Sequence, residues 1–410
     1  MIPPGRKTNY RLAILKQPSE WDDPSLRRRW AEINANSGNV NAIYGSPVWF
    51  DLLRARHKPE ELAIVVAYDS GDEVIGVVPI LFKDHPFQYY ISRYPLFTRQ
   101  LKAADILGSV PMMPGDPQIS ARLLDLLLHE TKVDCAYLDT VPADNPFLNF
   151  AAGTTRNRHL VYTPGGTRPW HLTRIYANSE EYLSQMSSKT RSTLRKKAKK
   201  LAEAGGGELK LTRVDLAHQV AGFIAEAVTV SRNSWQHEIL GNRINDSIDE
   251  RTWNESLADA GLLRSYLLKA GDRACAFVVG YQFNDVFHYV ELGYDRQFSE
   301  QSPGTVLLHL LIQDLCDHQA PATLNFGMGD GDYKRRFGNM QIEDVSILVL
   351  RKTLRNHILV GSHALFRSLV GFARRIIKGA RKYREDLRLR RSRVNPSAVT
   401  PFGSQARAKS

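Results

Sequence analysis

Residues 293–315 read GYDRQFSEQSPGTVLLHLLIQDL. A strand-like run closes at Tyr294-Asp295, a polar loop follows, and after Ser302-Pro303-Gly304 the apolar residues recur at helical spacing. Proline pre-sets φ for the first helical turn, and glycine leaves room for another group to approach the backbone. The first amides of a helix lack intrahelical partners and sit at the positive end of its dipole, so this entrance suits an anion. The same corner also serves as a plain helix start. No GxxxxGK[ST] occurs in the chain, which excludes a nucleotide P-loop.

The surroundings of this stretch occur twice, about 200 residues apart. ELAIVVAYDSGDEVIGVVPILF (61–82) and LLRSYLLKAGDRACAFVVGYQF (262–283) each read as strand, turn at Gly-Asp, strand. Each is followed by an aromatic-rich run (87–97 and 287–295), an amphipathic helix (119–130 and 305–318) and a short strand (135–141 and 322–327). Two α/β units in tandem explain the pattern economically. Between them lies NSEEYLSQMSSKTRSTLRKKAKKLAEAGGG (178–207), a long helical pattern. It opens on an Asn178/Glu181 capping signature and is stopped by three glycines.

A length of 410 residues favours more than one domain, and 43% hydrophobic with 24% charged residues is the composition of a soluble globular protein. No apolar run approaches the ~20 residues of a membrane span, and the N-terminus lacks a secretory h-region. Cys135, Cys275 and Cys316 are odd in number and far apart, which suggests a reducing, cytoplasmic setting without a disulfide framework or zinc site. The net charge of +12 is local. From Arg351 onward there are 16 Lys and Arg against 2 Asp and Glu, leaving 39 against 41 in residues 1–350. Basicity is a property of the tail.

Hairpin, GYD-ended strand, SPG-led helix and FGMGDGDYKRRFG (326–338) together resemble the CelD/BcsL-type acetyltransferases. These are a branch of the GNAT superfamily related to the FemAB peptidyltransferases. HLTRI (171–175), SSKTRSTLRKKAKKL (187–201) and the early SPVWFDLL…VIGVVPI fit the same pattern, so the resemblance spans about residues 44–350. It implies an α/β fold of tandem GNAT-like units, with mixed sheets and flanking helices. The implied division is a degenerate, structural unit over 1–170, an acyltransferase unit over 171–350, and a basic helix with a polar tail over 351–410. The implied co-substrate is acetyl-CoA or another acyl-CoA. Its pantetheine would lie between strands 286–294 and 322–326, and its pyrophosphate on the entrance formed by Ser302, Pro303, Gly304 and Thr305. Backbone amides around Leu292, Gly293 and Tyr294 would polarise the thioester carbonyl. The implied acceptor is an amine or a carbohydrate, a sugar or precursor of cell-surface polysaccharide.

Acyl transfer needs a base for the acceptor and a proton for the departing thiolate. Tyr294 and Tyr333 are candidate acids. Glu291, His288, Asp295 and Asp332 are candidate bases, with Glu291 preferred because a carboxylate inside an apolar run is costly to keep there. Strict alternation sets Glu291 and Asp295 on one strand face, His288 and Tyr294 on the other. Lys334 and Arg335 could hold phosphates or an anionic acceptor. Asp330 and Asp332 lack the rest of a calcium loop, so no metal is expected.

The cations of 187–201 lack the interleaved aromatics of a base-stacking surface, so no specific nucleic acid is expected. In the tail, Leu359, Leu365, Leu369, Phe372 and Ile376 form an apolar stripe. Arg367, Arg374, Lys378, Arg381 and Lys382 lie beside or opposite it. Residues 357–384 therefore fit either an anionic membrane surface or a helix docked on the protein body. Two rival readings remain: a FemAB-like transferase using aminoacyl-tRNA and a peptidoglycan precursor, and a catalytically inactive GNAT scaffold.

Overall fold

The computed structural model describes residues 10–92, 94–148, 158–234 and 244–394, without the side chains of 381, 382 and 385–394. Thirteen strands are assigned: β1 (Arg11–Leu15), β2 (Leu62–Tyr68), β3 (Val74–Ile91), β4 (Tyr94–Ile106), β5 (Cys135–Pro142), β6 (His159–Tyr162), β7 (Arg168–Arg174), β8 (Leu209–Val214), β9 (Ser265–Ala270), β10 (Arg273–Phe283), β11 (Val286–Tyr294), β12 (Thr323–Met328) and β13 (Met340–Arg351). They form one mixed sheet in the order β1-β2-β3-β4-β5-β13-β7-β12-β11-β10-β9-β8, with β6 also on β13.

The order is a palindrome of two halves. In each, four strands lie side by side, antiparallel at β1/β2 and β2/β3 and at β8/β9, β9/β10 and β10/β11, and the fourth meets the fifth in parallel, β4 with β5 and β11 with β12. The sixth strand of the first half is β13, which comes last in the chain and pairs antiparallel with β5; β7 takes that place beside β12. β13 also pairs with β7, so the halves share a continuous ladder. The repeats expected on either side of residue 170 thus lie in one compact unit, Met1–Asp84 with Lys102–Arg351. His85–Leu101 and Lys352–Ser410 make up the other unit.

Residue type explains the layers. β2, LAIVVAY, is buried at its first six positions, as expected of an interior strand rich in β-branched residues covered on both faces. On one face Trp21, Trp30, Phe50, Phe223 and Phe277 belong to a shared core. On the other, the helix Pro303–Asp317 packs Leu307, Leu308, Leu311 and Ile312 among Val278, Phe287 and Leu324. The second hairpin turns at Gly271-Asp272 as expected, with Ala270 paired to Arg273 and Gly271 at φ +59. The first is longer: Tyr68 pairs with Val74, and the Asp69 carboxylate closes the loop on the amides of Gly71 and Glu73.

The expected long helix of 178–204 is two, Ser179–Ser184 and Ser188–Ala204. Asn178 caps the first through the Glu181 amide at 2.8 Å, and Ser187 starts the second by accepting from Thr190. In the Lys352–Ser410 unit the helix Leu354–Val394 follows β13. Among the described residues, no helix is long and apolar enough to cross a membrane.

Candidate functional site

β11 and β12 pair at Val286/Thr323, Phe287/Leu324 and His288/Asn325, and there the ladder ends. A fork follows. Gly327 (φ +71) and Gly329 (φ +87) turn the β12 side away in backbone conformations that favour glycine. On its other edge β11 stays paired with β10 through to Tyr294, but Glu291 faces Val279 and Tyr289 faces Gly280, leaving Val290 as an extra residue. This bulge overturns the expected alternation. His288 opposes Tyr281 and Glu291 opposes Val279, two positions apart on one strand, so the register returns His288 and Glu291 to the same face.

A cavity of about 730 Å³ opens at the fork. β11 contributes His288 through Leu292, and the β12 side contributes Asn325 through Met328, Tyr333 and Lys334. The first half contributes as much: Asn41, Tyr44, Asp105, Ser109, Asp139 and Thr140 also line it. Asp105 holds the position at the first parallel pair that His288 holds at the second, the third and last paired residue before the strands part. The two forks therefore face one space.

Buried polar groups tie this wall together. Asn325 accepts from Trp170 Nε1 (2.6 Å) and from the Gly327 amide (2.8 Å), while its amide group reaches Asn41 Oδ1 (3.4 Å) and His288 Nδ1 (3.5 Å). Asn41 donates to Ser109 (2.8 Å). His288 is 3% exposed, and burial pulls its pKa down to about 4, so the ring is neutral at pH 7. Among the described residues its Nε2 has no hydrogen-bond partner, and the Tyr44 ring lies edge-on at 5.6 Å. Asp105, ion-paired with Lys83, shifts the opposite way: burial raises its carboxyl pKa despite that lysine. Lys334 donates to the carbonyls of Met328 (2.6 Å) and Gly327 (3.2 Å), and burial lowers its pKa to about 8.

The residues expected from the sequence divide into three groups. Glu291, Leu292, Tyr333 and Lys334 line the cavity. Tyr333 packs its ring against Tyr289 and Phe326. Tyr294 and Gly293 stand further along β11 with packing duties. A Cβ on Gly293 would come within 2.3 Å of the Phe277 ring, so that glycine lets the two strands close up. Asp295 is buried as the cap of the turn 296–301, accepting from the Gln297 amide (2.9 Å) and from Asn233 (3.3 Å). Asp332 lies on the surface in an ion pair with Arg335, which also holds Asp330.

The helix entrance differs in detail from the expectation. Ser302 adopts φ +56 and its side chain makes no cap. The Thr305 and Val306 amides are not bared; both reach the Ser302 carbonyl, at 3.0 and 3.2 Å. Gly304 is buried, and a Cβ there would lie 3.3 Å from Leu292 and 3.6 Å from Tyr294. Its lack of a side chain therefore seats the helix on β11. Behind this entrance runs the basic helix Ser188–Ala204, where burial and the nearby Arg336 lower the pKa of Lys197.

Sequence reading missed the first-half wall entirely. Asn41, Tyr44, Asp105 and Asp139 carry no local motif, although aligning the two repeats at their parallel strands would have pointed to Asp105. Among the described residues, the one cluster of metal-ligand type, Asp125, His129 and His159, is not part of this cavity, and its Asp125 is already ion-paired with Arg158.

Residues 188–335 match a family model described as an acetyltransferase (GNAT) domain, a span that takes in the fork, the bulge and the Pro303 helix. Among solved structures the chain is similar to FemX, at 13% identity and a TM-score of 0.57, covering 82% of this chain and 98% of that one. It is also similar to L-PGS from Bacillus licheniformis (12% identity, 82% and 96% covered, TM-score 0.46). A tandem GNAT protein from the clavulanic acid biosynthesis pathway gives 11% identity, 83% and 98% coverage and a TM-score of 0.44. No curated protein matches the chain. At 13% identity the FemX likeness speaks to the fold alone, across 82% of this chain.

Proposed function

We propose that the protein is an acyl-CoA-dependent acyltransferase that moves an acyl group, in the simplest case acetyl, to an amine or hydroxyl of a sugar or of a precursor of cell-surface polysaccharide. The observation that carries this reading is the fork. Two parallel strands part after three paired residues, and at the parting a bulge turns Glu291 onto the cavity face beside His288. With acyl-CoA as donor, the reaction belongs in the cytoplasm.

In this reading the pantetheine arm lies between β11 and β12, and the pyrophosphate meets the helix start at Ser302–Thr305. Lys197 and Arg336 supply positive charge behind it. The acceptor enters from the first-half wall, where Asp105, Ser109, Asp139 and Thr140 offer hydrogen-bond partners of the kind a sugar uses. Glu291 removes the proton from the acceptor nitrogen or oxygen as it attacks the thioester carbonyl. Backbone N–H groups at the Val290 bulge stabilise the oxyanion. The carbon–sulfur bond breaks, the thiolate takes its proton from Tyr333, and the phenol is restored from solvent. Asp295 and Asp332 are assigned no part in the chemistry, since their carboxylates are committed to the 296–301 turn and to Arg335.

The FemAB-like alternative uses the same fold with an aminoacyl-tRNA donor; the exposed cations of Ser188–Ala204 favour it. Titration calorimetry with acetyl-CoA, desulfo-CoA and adenosine separates the readings. Saturable acetyl-CoA binding is expected, together with lower turnover but retained binding in Tyr333→Phe. Absence of any CoA binding, with co-purifying RNA released steeply by salt, would transfer the assignment to the rival.

A further inference from the structure

We propose that the hairpin of residues 85–101 and the C-terminal helix together form a docking surface for an anionic lipid bilayer. The two segments belong to one compact unit and are held by specific contacts. His363 packs on Phe87 at 4.7 Å and meets the Gln88 carbonyl at 3.1 Å; Phe366 packs edge-on to Tyr89 at 5.4 Å; and the Tyr89 hydroxyl meets Ser362 at 2.9 Å. Leu359 is buried on this docked face, and so leaves the stripe to which the sequence assigned it.

With one face of the helix committed to the hairpin, a second apolar face remains uncovered among the described residues. Leu354, Ile358, Leu365, Leu369, Phe372 and Ile376 are each at least 55% exposed. At 3.6 residues per turn they fall within an arc of about 60°, centred about a third of a turn from Leu359, His363 and Phe366, and the stripe runs roughly 33 Å. The hairpin adds Tyr90, Ile91, Tyr94 and Leu96, exposed by 46% to 66%. Water-facing apolar residues scattered singly need no explanation, but a continuous stripe beside an aromatic hairpin does.

Charge identifies the occupant. Residues 85–101 and 352–384 contain 11 Lys and Arg and not one Asp or Glu. Arg355 and Arg375 flank the stripe, and Arg367, Arg374 and Lys378 stand on the far side with stems long enough to reach toward headgroups. A second copy of the chain laid on this face would bring like charges together with no acidic partner. Anionic headgroups neutralise them, while the tyrosines suit the boundary between headgroup and acyl chain. With no helix of the described residues able to cross a bilayer, the surface lies on the membrane.

Sedimentation of the full chain with vesicles tests this. Binding to phosphatidylcholine vesicles containing phosphatidylglycerol is expected to be more than about tenfold tighter than to phosphatidylcholine alone and to weaken with salt. A Leu365→Ser/Leu369→Ser/Phe372→Ser variant changes only exposed positions, so it keeps its circular dichroism and Tm but loses binding about tenfold or more. Tyr94→Ser/Leu96→Ser gives a smaller loss, and an unchanged affinity there would remove the hairpin from the surface. Wild-type protein that binds neither vesicle, or a triple variant that binds as well as wild type, overturns the proposal. A dimer in sedimentation velocity that the triple variant converts to monomer, without vesicle binding, would assign the stripe to a second copy instead.

Discussion

The two forks begin alike and end differently. Each parallel pair runs for three residues, and each ends on a buried titratable or polar group facing the same cavity, Asp105 in the first half and His288 in the second. Beyond the second fork β11 continues along β10 through its bulge to Tyr294. Beyond the first, β4 stops at Ile106, and Gly108 (φ +84) and Ser109 (φ +71) lead an irregular path with a single bridge from Met112 to Val77. The helices that follow differ too. The first, Pro117–Glu130, is capped by the Asp116 carboxylate on the Gln118 amide, whereas the second starts at Ser302 with no side-chain cap. A carboxylate at a helix start occupies the positive end of the dipole and repels a phosphate. The two halves share one frame, and among the described residues only the second keeps a strand paired well beyond the fork and a following helix without a side-chain cap.

The comparison breaks or sharpens under four measurements. The largest effect is expected from Glu291→Gln, which should lower kcat by about 100-fold or more with little change in KM for acyl-CoA, the signature of a lost base. Near-normal kcat would remove Glu291 from the chemistry. Next, Thr305→Glu should weaken acyl-CoA binding by roughly 10- to 100-fold in calorimetry, while Gln118→Glu, just inside the first helix, should not. Thr305 is the better probe than the buried Gly304, because Glu at the third helical position supports the helix start while repelling a phosphate. Equal losses in both variants would erase the distinction between the forks.

The third measurement is acid stability. His288 has a folded pKa of about 4 against the usual 6.5, so between these values the unfolded chain binds more protons and stability falls as pH falls. The contribution is on the order of 3 kcal/mol. Asp105 works oppositely: its raised pKa means the folded state binds more protons just above the ordinary Asp range, so this group favours folding as pH falls there. Denaturant midpoints across this window should flatten in His288→Asn and steepen in Asp105→Asn. No change in either variant would show that the cavity is wetter than the structure implies. The smallest effect is expected from Trp170→Phe, which leaves Asn325 without one donor and should cost about 1 kcal/mol by urea titration.

Local signals made much of the frame legible. The second hairpin, the Ser302 helix start, the Asn178 cap and the tandem repeat all follow from short-range rules of turn, cap and period, and the structure has each of them. Glu291, Tyr333 and Lys334 could be picked out because a charge or phenol in an apolar or glycine-rich context is conspicuous. Their relative placement could not. Alternation along 286–294 is a correct rule for a regular strand, and one extra residue, Val290, reversed its conclusion for His288 and Glu291. A bulge is selected by how β11 fits β10, so the nine residues of β11 alone do not announce it.

The sequence by itself determined that there are two α/β repeats, that the second carries a strand-to-helix turn at Ser302-Pro303-Gly304, and that the basic charge belongs to the tail. These are properties of contiguous residues, fixed by backbone sterics and hydrophobic period. Tertiary structure alone decided that β13 returns to complete the first half, that Asn41, Tyr44 and Asp105 face His288 and Glu291 across one cavity, and that a hairpin near residue 90 receives a helix near residue 360. Such pairings join residues hundreds of positions apart. Only the burial of complementary surfaces in the folded chain selects them, and no local propensity records which surface will meet which.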